Sequence, residues 1–261
     1  MVSTEIAAVL AQRPLGLVFD IDGTLSPIAA TPGEAQLYPG VATLLEQAKQ
    51  YAHIAIITGR AVADGARMVN VDGLTYIGTH GLEWSDGLPS RTPAQLLPEA
   101  VEYVEAGKYL LDLAEKANAP GVFIERKRVG GAIHYRLAPE PEQARQNILA
   151  LLEEPAQRVH MQLSEGKLVI ELRVPLRINK GYALRSFAQR YKLQGILFAG
   201  DDRTDIDALL EIEQLRHEGV KARGIAVQHA DTLAELLAHA DIIVQGVEGM
   251  AELLRAIVEE L

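Results

Sequence analysis

Residues 15–24 read LGLVFDIDGT. An unbroken apolar run, Leu15 to Phe19, stops at an aspartate, and a second aspartate, a glycine and a threonine follow. Such a run, bounded by a turn signal, suits a strand buried on both faces, the kind found in parallel sheets. In open α/β sheets, ligands gather at the carboxyl ends of the strands, so Asp20 would project into that crevice. Two carboxylates flanking one residue there have a chemical reading. Asp20, beside a magnesium ion, can attack a phosphoryl group and form an aspartyl-phosphate. Asp22 can protonate the leaving alkoxide and later activate water. Gly23 allows the tight turn, and Thr24 can hold the phosphate. The plainer alternative is a strand followed by an Asx-type turn.

Outward from this stretch the pattern repeats. GVATLLEQAKQYA (40–52) has helical spacing, HIAIITG (53–59) reads as a second strand, and LTYIGTHG (74–81) as a third. Further on, KGYALRSFAQRYK (180–192) is helical and GILFAGDD (195–202) is a strand ending in acid. A helix over 204–219, a strand over 222–227, a helix over 232–240, a strand over 241–244 and a helix at about 248–260 complete the chain. Alternating strands and helices predict an α/β fold, a Rossmann-like parallel sheet covered on both faces. The middle differs. The spacing predicts one helix over 93–117, then a hairpin over 121–138 around Gly130-Gly131. A helix over 140–154 and a hairpin over 158–174, turning at Glu165-Gly166, follow. Helix and hairpin, twice, predict an α+β unit at 89–175, inserted into a parallel-sheet core made of 1–88 and 176–261. The linkers near 86–92 and 174–179 are natural hinges.

Three more strings carry candidate chemistry. AGDDRTDID (199–207) puts Asp201, Asp202, Asp205 and Asp207 within seven residues. Such density repels itself at close range, and a hard divalent cation relieves it. The alternative is helix capping by Thr204 or Asp205. ITGR (57–60) puts Thr58 at a strand end, where its hydroxyl and the neighbouring backbone N–H at Gly59 could bind phosphate oxygens; taken alone, an ordinary turn is the better reading. NKG (179–181) sets Lys180 at the positive end of a helix, where a cation is disfavoured unless an anion meets it.

The bulk numbers exclude other classes. A chain of 261 residues can build one large domain or two smaller ones. A formal charge of −10 disfavours a nucleic-acid backbone or an anionic membrane surface as partner. No apolar run approaches the roughly 20 residues that cross a bilayer, and MVSTEIAAVLAQRP does not read as a signal peptide. The absence of cysteine excludes disulfides and thiolate metal sites and favours the cytoplasm.

The order of these motifs resembles the four-part signature of the haloacid dehalogenase superfamily of phosphotransferases, over both halves of the parallel-sheet core. The resemblance implies that Asp20 is the nucleophile and Asp22 the acid/base. It implies that Thr58 and Lys180 hold the phosphate. It also implies that Asp20, Asp201 and Asp205 ligate magnesium together with the backbone carbonyl of Asp22. The insert would be a cap that selects the substrate. THGLE (79–83), IERK (124–127), AIHYR (132–136), GKLVIELR (166–173) and GDDRTD (200–205) resemble elements of the trehalose-6-phosphate phosphatase family, so the resemblance spans nearly the whole chain. It implies a sugar-phosphate substrate, trehalose 6-phosphate, a trehalose-6-phosphate synthase as a candidate partner, and Glu125, Lys127, His134 and Glu171 as substrate-binding residues.

Sugar hydroxyls must be paired when buried, and Glu125 and Lys127, two apart, would share a strand face. The alternative for each is an exposed residue in a solvated charge pattern, which also suits the basic run Arg126, Lys127, Arg128. His80 could touch substrate or cap its loop. Two departures from the family pattern stand out: Ile206 replaces a glutamate in the acidic cluster, and Val174 is extra before Pro175. Competing readings are a sucrose-6-phosphate or glycosyl-3-phosphoglycerate phosphatase, a phosphomutase, and a non-catalytic sugar-phosphate sensor.

Overall fold

Leu15–Phe19 is buried along its whole length. It therefore needs a strand on each side and a helical layer on each face. The computed structural model, which describes residues 2–29 and 32–261, supplies both. In chain order the elements are α1 (Thr4–Leu10), β1 (Leu15–Phe19), α2 (Val41–Ala48), β2 (His53–Ile57), α3 (Val62–Val69), β3 (Thr75–Gly78), β4 (Glu83–Asp86) and β5 (Gln95–Leu96). Next come α4 (Val104–Lys116), β6 (Phe123–Arg126), β7 (Gly131–His134), α5 (Pro141–Arg158), β8 (Gln162–Gly166) and β9 (Val169–Arg173). The chain ends with α6 (Lys180–Arg190), β10 (Gly195–Gly200), α7 (Arg203–His217), β11 (Lys221–Gln228), α8 (Ala234–His239), β12 (Ile242–Gln245) and α9 (Gly246–Glu260).

Among the described residues, two compact units form. One joins residues 1–95 to 178–261, and the other is 96–177. The first holds a sheet of order β12-β11-β10-β1-β2-β3-β4-β5, parallel from β12 through β3, with β4 antiparallel to β3. Side chains alternate across it. Leu17, Phe19, Ile56, Leu197 and Ile225 join the apolar layer with α1, α2, α3 and α9. Val18, Ala55, Ile57, Phe198 and Ala226 join the layer with α6, α7 and α8. The chain builds outward from β1 to β2 and β3, then returns to β10 on the other side of β1. That reversal makes the carboxyl ends of β1 and β10 the topological switch point, where such sheets bind ligands.

The second unit holds a four-stranded antiparallel sheet, β6-β7-β9-β8. Ile133, Ile170 and Leu172 are buried on the side of α4 and α5.

Several expectations need correction. Residues 93–117 are not one helix. Leu97 is extended before Pro98 and a 3-10 turn spans Pro98–Tyr103, so α4 starts at Val104. A residue before proline is pushed out of the helical region, and proline has no N–H to give. The first hairpin turns over 127–130, because Arg126 pairs with Gly131. Lys127 therefore lies one residue past β6. The second hairpin turns at Lys167-Leu168, since Gly166 pairs with Val169, and Leu168 takes φ 63. Helix α5 runs through Pro155 to Arg158. The third strand stops at Gly78, and residues 79–81 turn away from it with positive φ.

Candidate active site

β1 hands Asp20 to the switch point, its N–H donating to the carbonyl of Ala199 on β10 at 2.9 Å. The chain then turns sharply: the Gly23 N–H donates to the Ser26 carbonyl at 2.7 Å. Gly23 has φ 82, and a Cβ there would sit 1.9 Å from Asp201 Oδ2. Only glycine lets the loop after Asp22 approach the acid at the end of β10 so closely.

Under this turn lies a closely packed charged cluster. Asp20, Lys180, Asp201 and Asp205 are 4%, 2%, 8% and 0% exposed. Lys180 Nζ donates to Asp205 Oδ1 at 2.7 Å and sits 2.9 Å from Asp20 Oδ1. Asn179 caps α6 by accepting from the Tyr182 N–H, which leaves Lys180 in the first turn. The two carboxylates offset the helix dipole there. The cap of α7 is Asp202, not Thr204 or Asp205; Asp205 reaches back from the first turn. Its Oδ2 accepts from the N–H groups of Asp201 at 3.1 Å and Asp202 at 3.0 Å. Asp205 thus braces both the strand-to-helix turn and Lys180. The Thr24 hydroxyl donates to Asp201 Oδ1 at 3.1 Å.

Burial is the main reason that the Asp20 and Asp201 carboxyls are pushed above the usual carboxylate range. Neighbouring aspartates add to that push, and Lys180 pulls against it. Burial opposes the charge of Lys180, but Asp20 and Asp205 outweigh it and hold the ammonium above the ordinary lysine range. Carboxylate oxygens of Asp20, Asp201 and Asp205 lie within 4.8 Å of one another. Three buried carboxylates face one ammonium, so the cluster has room electrostatically for a further cation. An all-oxygen donor set fits a hard divalent ion such as magnesium.

At the end of β2, the Thr58 N–H donates to the Ile77 carbonyl at 2.9 Å, and its hydroxyl accepts from the Arg60 N–H at 3.2 Å. His80 packs against this turn: its N–H donates to the Thr58 carbonyl, and a Cβ on Gly59 would lie 2.7 Å from its Cε1. Thr79, His80 and Gly81 take φ 49, 57 and 124, a run of left-handed backbone beside the candidate site. Two neighbours escaped the sequence reading. Arg60 grips Asp22, and His229 Nε2 sits 2.7 Å from the Gly23 carbonyl and 3.9 Å from Asp201 Oδ2. His229 directly follows β11, so the strand-end rule applied to a fourth strand would have found it. Ile206 is buried in an apolar layer with Leu209 and Ile212.

In the 96–177 unit, Glu125 pairs with Ala132 and Ala132 with Glu171, so both glutamates stand on one sheet face. His134 shares it, and its Nε2 is 3.1 Å from Glu125 Oε2. This face lies opposite the side that packs on α4 and α5. Glu171 is paired with Arg173 on the same strand. Arg126 points the other way, to Asp112 and Glu115 of α4.

The parallel sheet that brings these buried acids and the lysine to its switch point has a haloacid dehalogenase-like fold. A haloacid dehalogenase-like hydrolase from Bacteroides thetaiotaomicron shares this fold, with TM-score 0.64 at 15% identity over 93% of this chain and 98% of that one. A sequence model described as trehalose-phosphatase matches residues 18–236, and the chain belongs to that family. It is 33% identical over 236 residues to a trehalose-phosphate phosphatase of Mycobacterium leprae (strain TN), covering 85% of this chain and 52% of the relative. A Mycobacterium avium (strain 104) counterpart is 32% identical over 85% of this chain and 56% of its own length. The chain therefore spans about half the length of these curated relatives. A crystal structure of a trehalose-6-phosphate phosphatase related protein matches with TM-score 0.77 at 25% identity, over 94% of this chain and 97% of that one.

Proposed function

We propose that this chain is a magnesium-dependent phosphatase that hydrolyses trehalose 6-phosphate to trehalose and phosphate through an aspartyl-phosphate on Asp20. The observation that carries this reading is the buried cluster of Asp20, Lys180, Asp201 and Asp205 at the ends of β1 and β10, within a trehalose-phosphatase family chain.

Asp20 attacks phosphorus; an O–P bond forms as the bond to the sugar oxygen breaks. Asp22 gives that oxygen its proton. Asp22 then takes a proton from water, which attacks phosphorus and frees Asp20. Lys180, Thr58, Thr24 and the Gly59 N–H hold the phosphoryl oxygens. Magnesium, held by Asp20, Asp201, Asp205 and the backbone carbonyl of Asp22, would neutralise charge on the phosphoryl group. The segment 89–175 acts as a cap between the core segments 1–88 and 176–261. Its Glu125, Lys127, His134 and Glu171 accept and donate to sugar hydroxyls, with His80 as a further contact. The shared face of Glu125, His134 and Glu171 supports this role. A cytoplasmic location, and a trehalose-6-phosphate synthase as partner, belong to the same proposal. The first rests on the lack of cysteine, the second on the family resemblance.

Phosphate release with magnesium, measured over a panel of sugar phosphates, tests the assignment. Trehalose 6-phosphate is expected to turn over faster than sucrose 6-phosphate, glucosyl 3-phosphoglycerate or glucose 6-phosphate. A rate on trehalose 6-phosphate no higher than on glucose 6-phosphate would sink it.

A further inference from the structure

Asp22 is met by a guanidinium that the chemistry above does not use. Arg60 Nε donates to Asp22 Oδ2 at 2.7 Å and Nη2 to Asp22 Oδ1 at 2.6 Å, a two-point fork. The Arg60 side chain is 11% exposed and that of Asp22 37%. The arginine is thus the sheltered member and the carboxylate the accessible one. Arg60 is also anchored through its backbone: its N–H donates to Thr58 Oγ1, and its carbonyl accepts from the Thr79 N–H at 2.8 Å. Asp22 sits on a turn after β1, whereas Arg60 sits on a turn after β2. The fork therefore ties two strand ends together through the carboxyl group itself. A planar guanidinium fixes both the position and the plane of a carboxylate, which a single ammonium cannot do.

We propose that Arg60 is the positioning residue of Asp22, setting the direction in which that carboxyl group passes its proton to the leaving oxygen. This rests on the acid/base role of Asp22 proposed above. One carboxyl oxygen can carry the proton while the other still accepts from the fork. When the P–O bond breaks, the proton goes to the sugar oxygen and the carboxylate left behind remains on Arg60. No further reactant is needed.

The test compares leaving groups. An alkyl leaving group such as a sugar needs the proton, whereas p-nitrophenolate leaves without it. In Arg60→Lys and Arg60→Met, the single-turnover rate of leaving-group release, which precedes the water step that Asp22 serves on either substrate, is expected to fall about 10²-fold on trehalose 6-phosphate, the scale of a general acid's contribution, and far less on p-nitrophenyl phosphate. Asp22→Asn should show the same split. The double variant Asp22→Asn/Arg60→Lys should be no slower on trehalose 6-phosphate than Asp22→Asn alone. Equal losses on both substrates, no loss on either, or additive losses in the double variant would overturn the proposal. If Arg60→Met fails to fold, Arg60→Lys decides. Wild-type activity on trehalose 6-phosphate separates the two readings. If the wild type prefers another alkyl phosphate, the substrate assignment falls and the Arg60 comparison runs on that ester. A wild type with no phosphatase activity overturns both.

Discussion

Asp20 has one buried cation beside it and two further buried acids within reach, and its consequences follow from that balance. Replacing it by asparagine keeps the shape and removes one charge. Lys180 keeps Asp205 as its partner at 2.7 Å, so no buried ammonium is orphaned. Asp20→Asn is therefore expected to fold with an unchanged circular dichroism spectrum and to lose turnover by about 10⁴-fold or more, the scale seen when a nucleophile is removed. Phosphate release near the wild-type rate would end the nucleophile assignment. Asp205 carries another lesson. The density of acids around it invited a metal reading and a capping reading as alternatives. The structure shows it bracing the turn before α7 and pairing with Lys180 at once. A carboxylate has lone pairs enough for several partners.

At the scale of elements, α6 illustrates how a helix start sets a side chain. Asn179 accepts from the Tyr182 N–H at 2.9 Å, which fixes where the first turn begins and hence where Lys180 points. Asn179→Ala is expected to lower stability by about 0.5–2 kcal/mol, the cost of a lost cap. It should also raise KM more than thermal instability alone explains, because the Lys180 ammonium loses its fixed approach. Denaturant unfolding and initial rates on the same sample check both. Strands whose burial is two-sided were plain in the sequence, because an unbroken apolar run has few other readings; β1 and β10 begin and end close to where the pattern put them. Periodicity misled at residues 93–117, where apolar spacing continued straight across Leu97-Pro98. Backbone chemistry, not spacing, decides there. It also could not place the second hairpin turn. Glycine at 166 favours a turn at Glu165-Gly166, but strand register sets it two residues later, at Lys167-Leu168, with Leu168 at φ 63.

Across the whole molecule, the buried acids of the core outnumber their buried cation, and a bound divalent ion should act as part of the fold. Magnesium at about 100 times its Kd would add about 2.7 kcal/mol by mass action. Thermal unfolding of wild type is expected to shift upward with magnesium and back with a chelator. Asp201→Asn should show a much smaller shift. An equal shift in both proteins would remove Asp201 from the ligand set. Among the described residues no helix is long and apolar enough to cross a membrane.

What the sequence by itself determined is the α/β class, the strand ends and the residue types offered there. Apolar runs closed by Asp20, Thr58 and Asp201 dictate buried parallel strands with polar tips, whatever the rest of the chain does. What only the tertiary structure decided is which tips meet. Strand order put β1 between β10 and β2, and so brought Lys180, Asp201 and Asp205 to Asp20 and Arg60 to Asp22. The physical reason is that hydrophobic spacing acts along the chain within one element. A fork between residues 38 positions apart, or a bridge between Asp20 and Lys180, exists only after the apolar layers have packed.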